Sequence, residues 1–259
     1  MSVSALVEPV TGRAGPIRLH AAPLWQQGRT LYGGASALVA YTMARRAFTD
    51  LPPLRAAQIG FVAPVGEEIE LSAEVMRQGR NVTQVRSEIH SEGKLALTAF
   101  WLFGAAREAN ALHPASPPEP VPGQPEQYDE VNTEKGPSFL KENFEMRRAQ
   151  DERGSDEPVM RRWFRLKERD VLDPAGTLIL LGDTLPPGAI RAMRRQGPIS
   201  SINWSFNLLD PAPQTQDAWW LGETRSEHAD LGYSSERLSM WNTDGRQALS
   251  GLQSVAIFG

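Results

Sequence analysis

A proline-rich stretch divides the chain into two parts of similar length. Residues 111–127 contain six prolines among polar residues: Pro114, Pro117, Pro118, Pro120, Pro122 and Pro125. Because proline fixes φ and lacks a backbone N–H, this composition favours an extended linker over packed structure. The chain has 259 residues, and single cores usually stop growing near ~250 residues. We therefore expect an N-terminal unit over residues 1–110, a linker over residues 111–136 and a C-terminal unit over residues 137–259.

Each unit ends in a predicted β-hairpin, and the two hairpins align. Strand, turn and returning strand fall at residues 82–89, 92–93 and 95–104 in the first unit and at residues 233–240, 244–245 and 247–259 in the second. The turns are Glu-Gly and Asp-Gly, which suit the positive φ that tight hairpins need. When the turns are superposed, Trp101 falls on Gln253. The sequence therefore predicts an internal repeat in which one copy carries an indole and the other a carboxamide.

A helix is predicted upstream of each hairpin. In the first unit Gly33-Gly34 opens a stretch, residues 35–48, whose alanines recur at helical spacing. Its counterpart is residues 175–183, whose apolar run 178–181 fits a strand as well as a helix by periodicity, so the repeat decides for a helix. Strands are predicted before and after the helices, at residues 17–25, 57–65, 139–148 and 198–209. This order predicts an α+β fold in which each unit lays a helix across an antiparallel sheet.

Composition excludes several classes of function. The chain has no cysteine, which removes disulfides and thiolate chemistry, and its four histidines lack the spacing of a metal motif. With a net charge of −4, it has no basic surplus for a nucleic-acid backbone. No window approaches the ~18 apolar residues of a membrane helix, and the start lacks the pattern of a signal peptide. We expect no metal, no nucleic-acid partner, no membrane span and a cytoplasmic location.

Six segments resemble the type II acyl-CoA thioesterases and their thioesterase-like relatives. They are residues 31–35, 59–64 and 79–82 in the first unit and residues 181–183, 200–206 and 250–253 in the second. Their order and spacing extend the resemblance over nearly the whole chain. It implies a double hot-dog, in which two tandem helix-on-antiparallel-sheet repeats form one continuous sheet around two central helices. It also implies an acyl-CoA substrate, catalysis without a cofactor, and a homo-oligomer that is a dimer of double hot-dogs.

By the same resemblance, the hydrolytic residues are Asp183, Ser201 and Gln253. A thioester is already activated, so a water molecule held in line is a sufficient nucleophile once its proton is accepted. Asp183 is the expected base, and the Ser201 hydroxyl and the Gln253 carboxamide are expected to hold the water. If Asp183 ends the second helix, the helix dipole helps to raise its pKa. The backbone N–H groups at Gly33 and Gly34 are the expected oxyanion donors, and close helix packing is an equally good reason for these glycines.

The residues alone are also compatible with plainer structural roles. Asp183 precedes Thr184 and two prolines, an arrangement that also fits a simple turn. Strand alternation lets only one of Ser200 and Ser201 face the site. A buried Gln253 without a partner would cost free energy, so we expect something polar to face it.

Two other functions fit the same fold. One is a non-catalytic acyl-CoA-binding hot-dog protein, which keeps a pocket without the chemistry. The other is an acyl-thioester hydratase or dehydratase, which calls for a paired Asp and His. The four histidines lie outside the helix and the two strands that carry the three hydrolytic residues, which weighs against this alternative. For the arginines within 161–162 and 191–195 we expect solvated faces, with a contact to CoA phosphate as the alternative.

Overall fold

The computed structural model describes residues 3–119, 121–150 and 157–258. Pro120, in the expected linker, and Gly259, at the end of the expected last strand, lie outside these ranges. The helices are Val3–Val7 (α1), Gly33–Ala47 (α2), Ser138–Asn143 (α3) and Pro174–Gly182 (α4). Within the described ranges, no helix has the length and apolar character needed to cross a membrane.

Thirteen strands are described, two of which form a separate short ribbon. The strands are Gly15–Arg18 (β1), Gln26–Gln27 (β2), Thr30–Leu31 (β3), Leu54–Phe61 (β4), Glu68–Gln78 (β5), Val82–Ser91 (β6), Lys94–Gly104 (β7), Phe144–Arg148 (β8), Val159–Leu166 (β9), Ile199–Leu208 (β10), Trp220–Asp230 (β11), Tyr233–Trp241 (β12) and Gln247–Ile257 (β13). The ribbon consists of β2 and β3. Short 3-10 helices lie at Ala22–Trp25, Pro125–Gln127, Gly188–Ala192 and Gln216–Ala218.

Eleven strands form one antiparallel sheet in the order β1-β5-β6-β7-β4-β10-β13-β12-β11-β9-β8. The two halves of the chain meet at its centre, where β4 pairs with β10 and Gln58 lies opposite Ser205. From this pair outward, each half adds its hairpin and then its remaining strands. Because β4 and β10 pair with each other, neither half leaves its central edge open. The structure confirms the predicted α+β double hot-dog with one continuous sheet.

The two main helices, α2 and α4, pack against each other in opposite directions. Gly34 at the start of α2 lies beside Leu180 near the end of α4, and Gly176 near the start of α4 lies beside Leu38 of α2. Residues 178–181 are at most 1% exposed. A helix buried on all sides is hydrophobic all round, which is why periodicity alone did not distinguish this run from a strand. The interpretation as a helix, taken from the repeat, is confirmed.

The strands predicted to precede the helices were assigned too widely. They were predicted at residues 17–25 and 139–148. Ala22–Trp25 is a 3-10 helix instead, because Pro23 has no N–H to donate to a strand ladder. Ser138–Asn143 forms α3, in which Phe139 and Asn143 are four positions apart and both buried, as helical spacing requires. The strands β5, β9 and β11 were not predicted.

The segment between β7 and α3 packs on the outer face of the second half. A second hydrophobic cluster lies there, made of Ala149, Trp163, Trp219, Leu221 and Trp241, with Tyr128 against it. Trp241 Nε1 donates a hydrogen bond to Ser116 O at 3.1 Å. Arg161 Nε donates to Glu223 Oε2 at 2.8 Å. Arg161 and Arg162 are both buried, so the prediction that they are solvated is wrong. The linker covers Arg161, whose guanidinium donates to Glu119 O, whereas Arg162 lies on the opposite, core-facing side of β9.

Candidate active site

Asp183 ends α4 and points at the start of α2. It is the C-cap residue of α4, with φ −107° and ψ 15°. The Gly34 N–H faces its carboxylate, and a Cβ on Gly33 would overlap Asp183 Oδ2. Asp183 keeps a partly accessible edge, while the packed helices remove most of its hydration. The base expected from the sequence therefore lies where the helices of the two halves meet.

Gln253 faces Asp183 from the sheet. It lies on the inner face of β13 and is 5% exposed. Its Nε2 donates a hydrogen bond to Asp183 Oδ1 at 2.7 Å. The polar group that we expected opposite this buried carboxamide is therefore the Asp183 carboxylate. The hydrogen bonds found in the described part of the chain leave Gln253 Oε1 available to a further donor.

The pKa of Asp183 is raised to about 7. Burial is the main cause, because the charged form loses its hydration. The hydrogen bond from Gln253, and then the nearby Gly34 N–H, lower the pKa, since both stabilise the carboxylate. We expected the helix dipole to help raise this pKa; the cause found in the structure is burial. A carboxylate with this pKa can accept a proton near neutral pH.

Ser201 reaches the inner face through an irregularity in β10. Its partner on β13 is Val255, and the register shifts at Ile202 before Trp204 pairs with Gln253. The extra residue keeps Ser201 and Trp204 on the same face although three positions separate them. On β13, Val255 and Gln253 are two positions apart and both face inward. The Ser201 side chain therefore lies on the same face as Gln253.

The structure distinguishes Ser201 from Ser200. Ser201 is half-buried on the inner face, whereas Ser200 is exposed and pairs with Ala256 on the opposite face. Across residues 3–119, 121–150 and 157–258, no hydrogen bond joins the Ser201 hydroxyl to Asp183 or Gln253. The structure thus brings Asp183 and Gln253 into contact and places Ser201 on their side of the sheet without a direct bond to either.

The first half has a matching set of inner-face positions. β4 carries the same register shift as β10, so the cross-strand pairs on either side of it can be matched between the halves. The Leu54–Phe103 pair corresponds to Ser201–Val255, and the Ala57–Trp101 pair corresponds to Trp204–Gln253. In the helices, Leu38 lies beside Gly176 and Leu180 lies beside Gly34. Tyr41 follows Leu38 by three residues, as Asp183 follows Leu180. The first-half positions that correspond to Asp183, Ser201 and Gln253 are therefore Tyr41, Leu54 and Trp101.

Aromatic packing occupies those first-half positions. The rings of Tyr41 and Trp101 meet edge to face, with their centroids 5.6 Å apart. Trp101 Nε1 donates to Ser87 Oγ at 2.7 Å, and the Tyr41 hydroxyl donates to Asp173 Oδ2 at 3.1 Å. Asp173 in turn caps α4 by accepting the Gly176 N–H at 2.6 Å. Apolar packing and capping therefore replace the carboxylate and carboxamide at this end of the helix pair.

Tyr32 and Thr184 are neighbours of the site that sequence reasoning did not single out. Tyr32 stacks on Phe139 with centroids 4.1 Å apart, and its hydroxyl lies 3.5 Å from Thr184 Oγ1. Burial, and then the charge of Asp183, raise the pKa of Tyr32 well above its usual value. Tyr32 therefore stays protonated and can donate a hydrogen bond. Its only sequence signal was its place in residues 31–35, directly before Gly33 and Gly34.

Glu236 is a third neighbour that the sequence analysis missed. It is 0% exposed and lies directly opposite Gln253 on β12. A signal for it was present, because alternation along β12 puts this acidic residue on the same face as Leu238 and Met240, both of which are buried.

The polar groups at the site define what it can do. They are a carboxylate, a carboxamide, a hydroxyl and the N–H groups at the start of α2. Together these groups can accept a proton from water, hold that water and donate to an oxyanion. Within the ranges that the structure describes, no three His, Asp or Glu side chains cluster as a metal site requires.

The fold and the site describe a double hot-dog protein whose polar inner-face site lies in its second half. Two family models match the chain: the acyl-CoA thioesterase N-terminal domain over residues 21–104 and the acyl-CoA thioesterase C-terminal domain over residues 112–257. The chain belongs to the acyl-CoA thioesterase family. A comparison with curated proteins finds no match.

Solved structures with a similar fold cover nearly the whole chain. A conserved protein of unknown function with a hot-dog fold from Alicyclobacillus acidocaldarius is 19% identical, with a TM-score of 0.78, and the match covers 96% of this chain and 97% of that one. An acyl-CoA thioesterase II from Mycobacterium marinum is 16% identical, with a TM-score of 0.70, and the match covers 98% and 97%. At these identities the likeness shows the shared fold.

Proposed function

We propose that the protein is an acyl-CoA thioesterase that hydrolyses an acyl-CoA to the free acid and CoA at Asp183, Ser201 and Gln253. One observation carries the proposal: Gln253 Nε2 donates to Asp183 Oδ1 in a site where burial raises the pKa of Asp183 to about 7. A base with this pKa is substantially ionised at neutral pH and still a strong enough acceptor to take a proton from water. Membership of the acyl-CoA thioesterase family supports the same reaction.

In the proposed reaction, water is the nucleophile. The water lies between Asp183 and the thioester carbonyl, held by Gln253 Oε1 and the Ser201 hydroxyl. Asp183 accepts one proton as the water oxygen bonds to the carbonyl carbon. The tetrahedral intermediate then collapses with cleavage of the C–S bond, and the departing sulfur takes the proton from Asp183. The products are a carboxylic acid and the free thiol of CoA, with Asp183 ionised again.

The start of α2 is the proposed oxyanion site. The first N–H groups of a helix have no acceptor within the helix and point outward from its end. The Gly34 N–H faces the Asp183 carboxylate, so we assign the Gly33 N–H as the first donor to the thioester oxygen. A Cβ on Gly33 would occupy the space beside Asp183 Oδ2. The same glycine therefore serves both close helix packing and access of the carbonyl to the site.

The hydratase and dehydratase alternative is disfavoured by the position of the histidines. That chemistry calls for an imidazole beside the acid, and the histidine-bearing strands β6 and β11 are not neighbours of β10 or β13. His20 and His113 lie outside the strands. In the described part of the chain, no hydrogen bond joins a histidine to Asp183 or Gln253.

Thiol release from a panel of short, medium and long acyl-CoA substrates tests the proposal. We expect release by the wild-type protein and, because general base catalysis contributes roughly 10²–10⁴-fold, a loss of that size in Asp183→Asn. Tyr41→Phe is the matched control, because Tyr41 holds the corresponding place in the first half; its rate should equal that of the wild type. Tight acyl-CoA binding without thiol release would instead establish the non-catalytic binding protein.

We also propose, from the family resemblance, a dimer of double hot-dogs that works in the cytoplasm. Analytical ultracentrifugation of the purified chain tests the dimer. A mass of two chains is the expected result, and a mass of one chain at all concentrations would contradict it.

A further inference from the structure

Glu236 is a fully buried carboxylate that takes no part in the proposed chemistry. Its Oε2 accepts the Gly188 N–H at 2.8 Å, and its Oε1 accepts the Ala189 N–H at 3.3 Å. The Ser234 hydroxyl also donates to Oε1, and Ser234 Oγ lies 2.8 Å from Ser226 Oγ. Burying a carboxylate is costly unless hydrogen bonds replace its hydration, and these donors do so. The groups that face Glu236 are therefore two backbone N–H groups and a hydroxyl.

The position of Glu236 is apolar in the half that lacks the site. In the β12–β13 pair Glu236 lies opposite Gln253, and in the corresponding β6–β7 pair Val85 lies opposite Trp101. Val85 is 0% exposed, so the frame accepts a buried aliphatic side chain at this position. The carboxylate is thus found beside Gln253 and not at the matching place beside Trp101.

The backbone that Glu236 holds belongs to the connection between Asp183 and Ser201. Residues 184–192 follow Asp183 directly and lead to the start of β10. Thr224 Oγ1 donates to Pro186 O at 2.6 Å, which fixes the first part of the segment to β11. Gly188 lies so close to the Pro158 backbone that a Cβ would overlap Pro158 O. Glu236 binds the two N–H groups at the start of the following 3-10 turn and so fixes the middle of the connection to β12.

We propose that Glu236 is a positioning residue of the hydrolytic site. By holding the N–H groups of Gly188 and Ala189, it keeps residues 184–192 packed against β9, β11 and β12 and thereby sets Asp183 and Ser201 relative to Gln253. The effect on catalysis rests on the proposed function, whereas the fixing of the segment does not. Glu236 touches neither water nor substrate in this proposal and acts through the backbone between two site residues.

A consequence concerns the base itself. The groups that face Asp183 are Gln253 from β13, the Gly34 N–H from α2, and Tyr32 from the residues before α2. None of these three groups depends directly on Glu236. The segment begins at Thr184, which follows Asp183 directly and is itself buried. If residues 184–192 loosen, Thr184 moves with them and water gains access to Asp183 beside the packed helices. The desolvation that raises the pKa of Asp183 then weakens, and the pKa falls from about 7 towards its ordinary value.

The test uses Glu236→Gln and Glu236→Val in the full chain. The first keeps the shape and removes one acceptor, and the second copies Val85 of the first half. Glu223→Gln is the matched control, because Glu223 is another largely buried carboxylate of the same half, paired with Arg161 on the outer face. Hydrogen–deuterium exchange of residues 184–192 is measured beside the pH profile of acyl-CoA hydrolysis for all three variants.

We expect faster exchange confined to residues 184–192 in both Glu236 variants. We also expect kcat to fall roughly ten- to hundredfold with a much smaller change in KM, because the catalytic groups are misplaced. The acid limb of the pH profile of hydrolysis should move to lower pH. Glu223→Gln should show neither the local exchange nor the moved limb. Unchanged exchange at residues 184–192, or the same changes in Glu223→Gln, would overturn the proposal. If the wild type releases no thiol, the proposed function fails, and the exchange data still decide whether Glu236 fixes the segment.

Discussion

The two halves of the molecule use the same backbone frame with different side chains at corresponding positions. In the first half, Tyr41 and Trp101 pack edge to face; in the second, Asp183 and Gln253 form a hydrogen bond in their place. The matched cross-strand pairs also differ in which of their two strands carries the tryptophan. Trp101 on β7 pairs with Ala57 on β4, whereas Trp204 on β10 pairs with Gln253 on β13.

This difference shows how a duplicated core can make room for a polar site. At these paired positions each half keeps a nearly fully buried indole: Trp101 is 1% exposed and Trp204 is 0% exposed. In the second half the indole lies on the central strand, so the neighbouring strand can carry a carboxamide without leaving a void. The first half therefore contributes packing and the start of α2, and the second contributes the base and its partner.

The largest expected effect on stability is that of Trp101→Ala. Loss of a buried indole should lower the free energy of unfolding by about 3–5 kcal/mol, measured by denaturant titration, while the folded fraction keeps its kcat. Trp101→Phe is the control and should cost clearly less. Loss of hydrolysis in a folded Trp101→Ala protein would contradict the division of roles between the halves.

Asp183→Asn should stabilise the protein at alkaline pH. The folded-state pKa of Asp183 is about 7, above its unfolded value, so the folded protein binds more protons between about pH 4 and pH 7 and its stability falls as pH rises through that window. Asparagine does not titrate, so this loss of stability with rising pH is absent from the variant. The variant should therefore be more stable than the wild type at about pH 8, by roughly 2–4 kcal/mol, and the difference should shrink towards about pH 4. Equal stability at both pH values would show that the carboxyl is not desolvated.

Gln253→Met should impair hydrolysis and move its pH dependence upward. The variant keeps the volume but loses the hydrogen bond that lowers the pKa of Asp183. The acid limb of kcat/KM should therefore move above about 7, and kcat should fall roughly ten- to hundredfold because the water is no longer held. Gln247→Met on the same strand is the control, since Gln247 bonds only to Leu249 O among the hydrogen bonds described for it. If the acid limb of Gln253→Met lay at the pH of the wild-type limb or lower, Gln253 would not be the group that lowers the pKa of Asp183.

The smallest expected effect separates two adjacent serines. Ser201→Ala should reduce kcat about tenfold, the value of one hydrogen bond to the attacking water. Ser200→Ala should leave the rate unchanged, because Ser200 lies on the other face of β10. Steady-state kinetics of the two variants measure the difference. The opposite ranking would place the wrong serine in the site.

Much of the frame was predictable because it depends on local signals. The acidic-Gly turns at Gly93 and Gly245 gave the alignment that places Trp101 on Gln253, and the register of the sheet agrees with it. β9 was missed because it is covered on both faces, by the core and by the linker, so its sequence shows no alternation. α3 was missed because a six-residue helix gives too short a periodic pattern.

The site was less accessible to sequence reasoning. The resemblance supplied Asp183, Ser201 and Gln253, but the cause of the raised Asp183 pKa is burial between elements that are distant in the chain. Glu236 could have been found from the alternation of β12, whereas its partners at Gly188 and Ala189 are 47 or 48 residues away and needed the tertiary structure.

The most direct test of the central claim is the pH dependence of acyl-CoA hydrolysis by the wild type and by Asp183→Asn, from about pH 5 to about pH 9. The wild-type kcat/KM should rise through one ionisation near the Asp183 pKa of about 7 and then level off. The variant should lack that step and fall at least about a hundredfold below the plateau. An Asp183→Asn protein with the wild-type rate and the same pH profile would contradict a hydrolytic base in the second half.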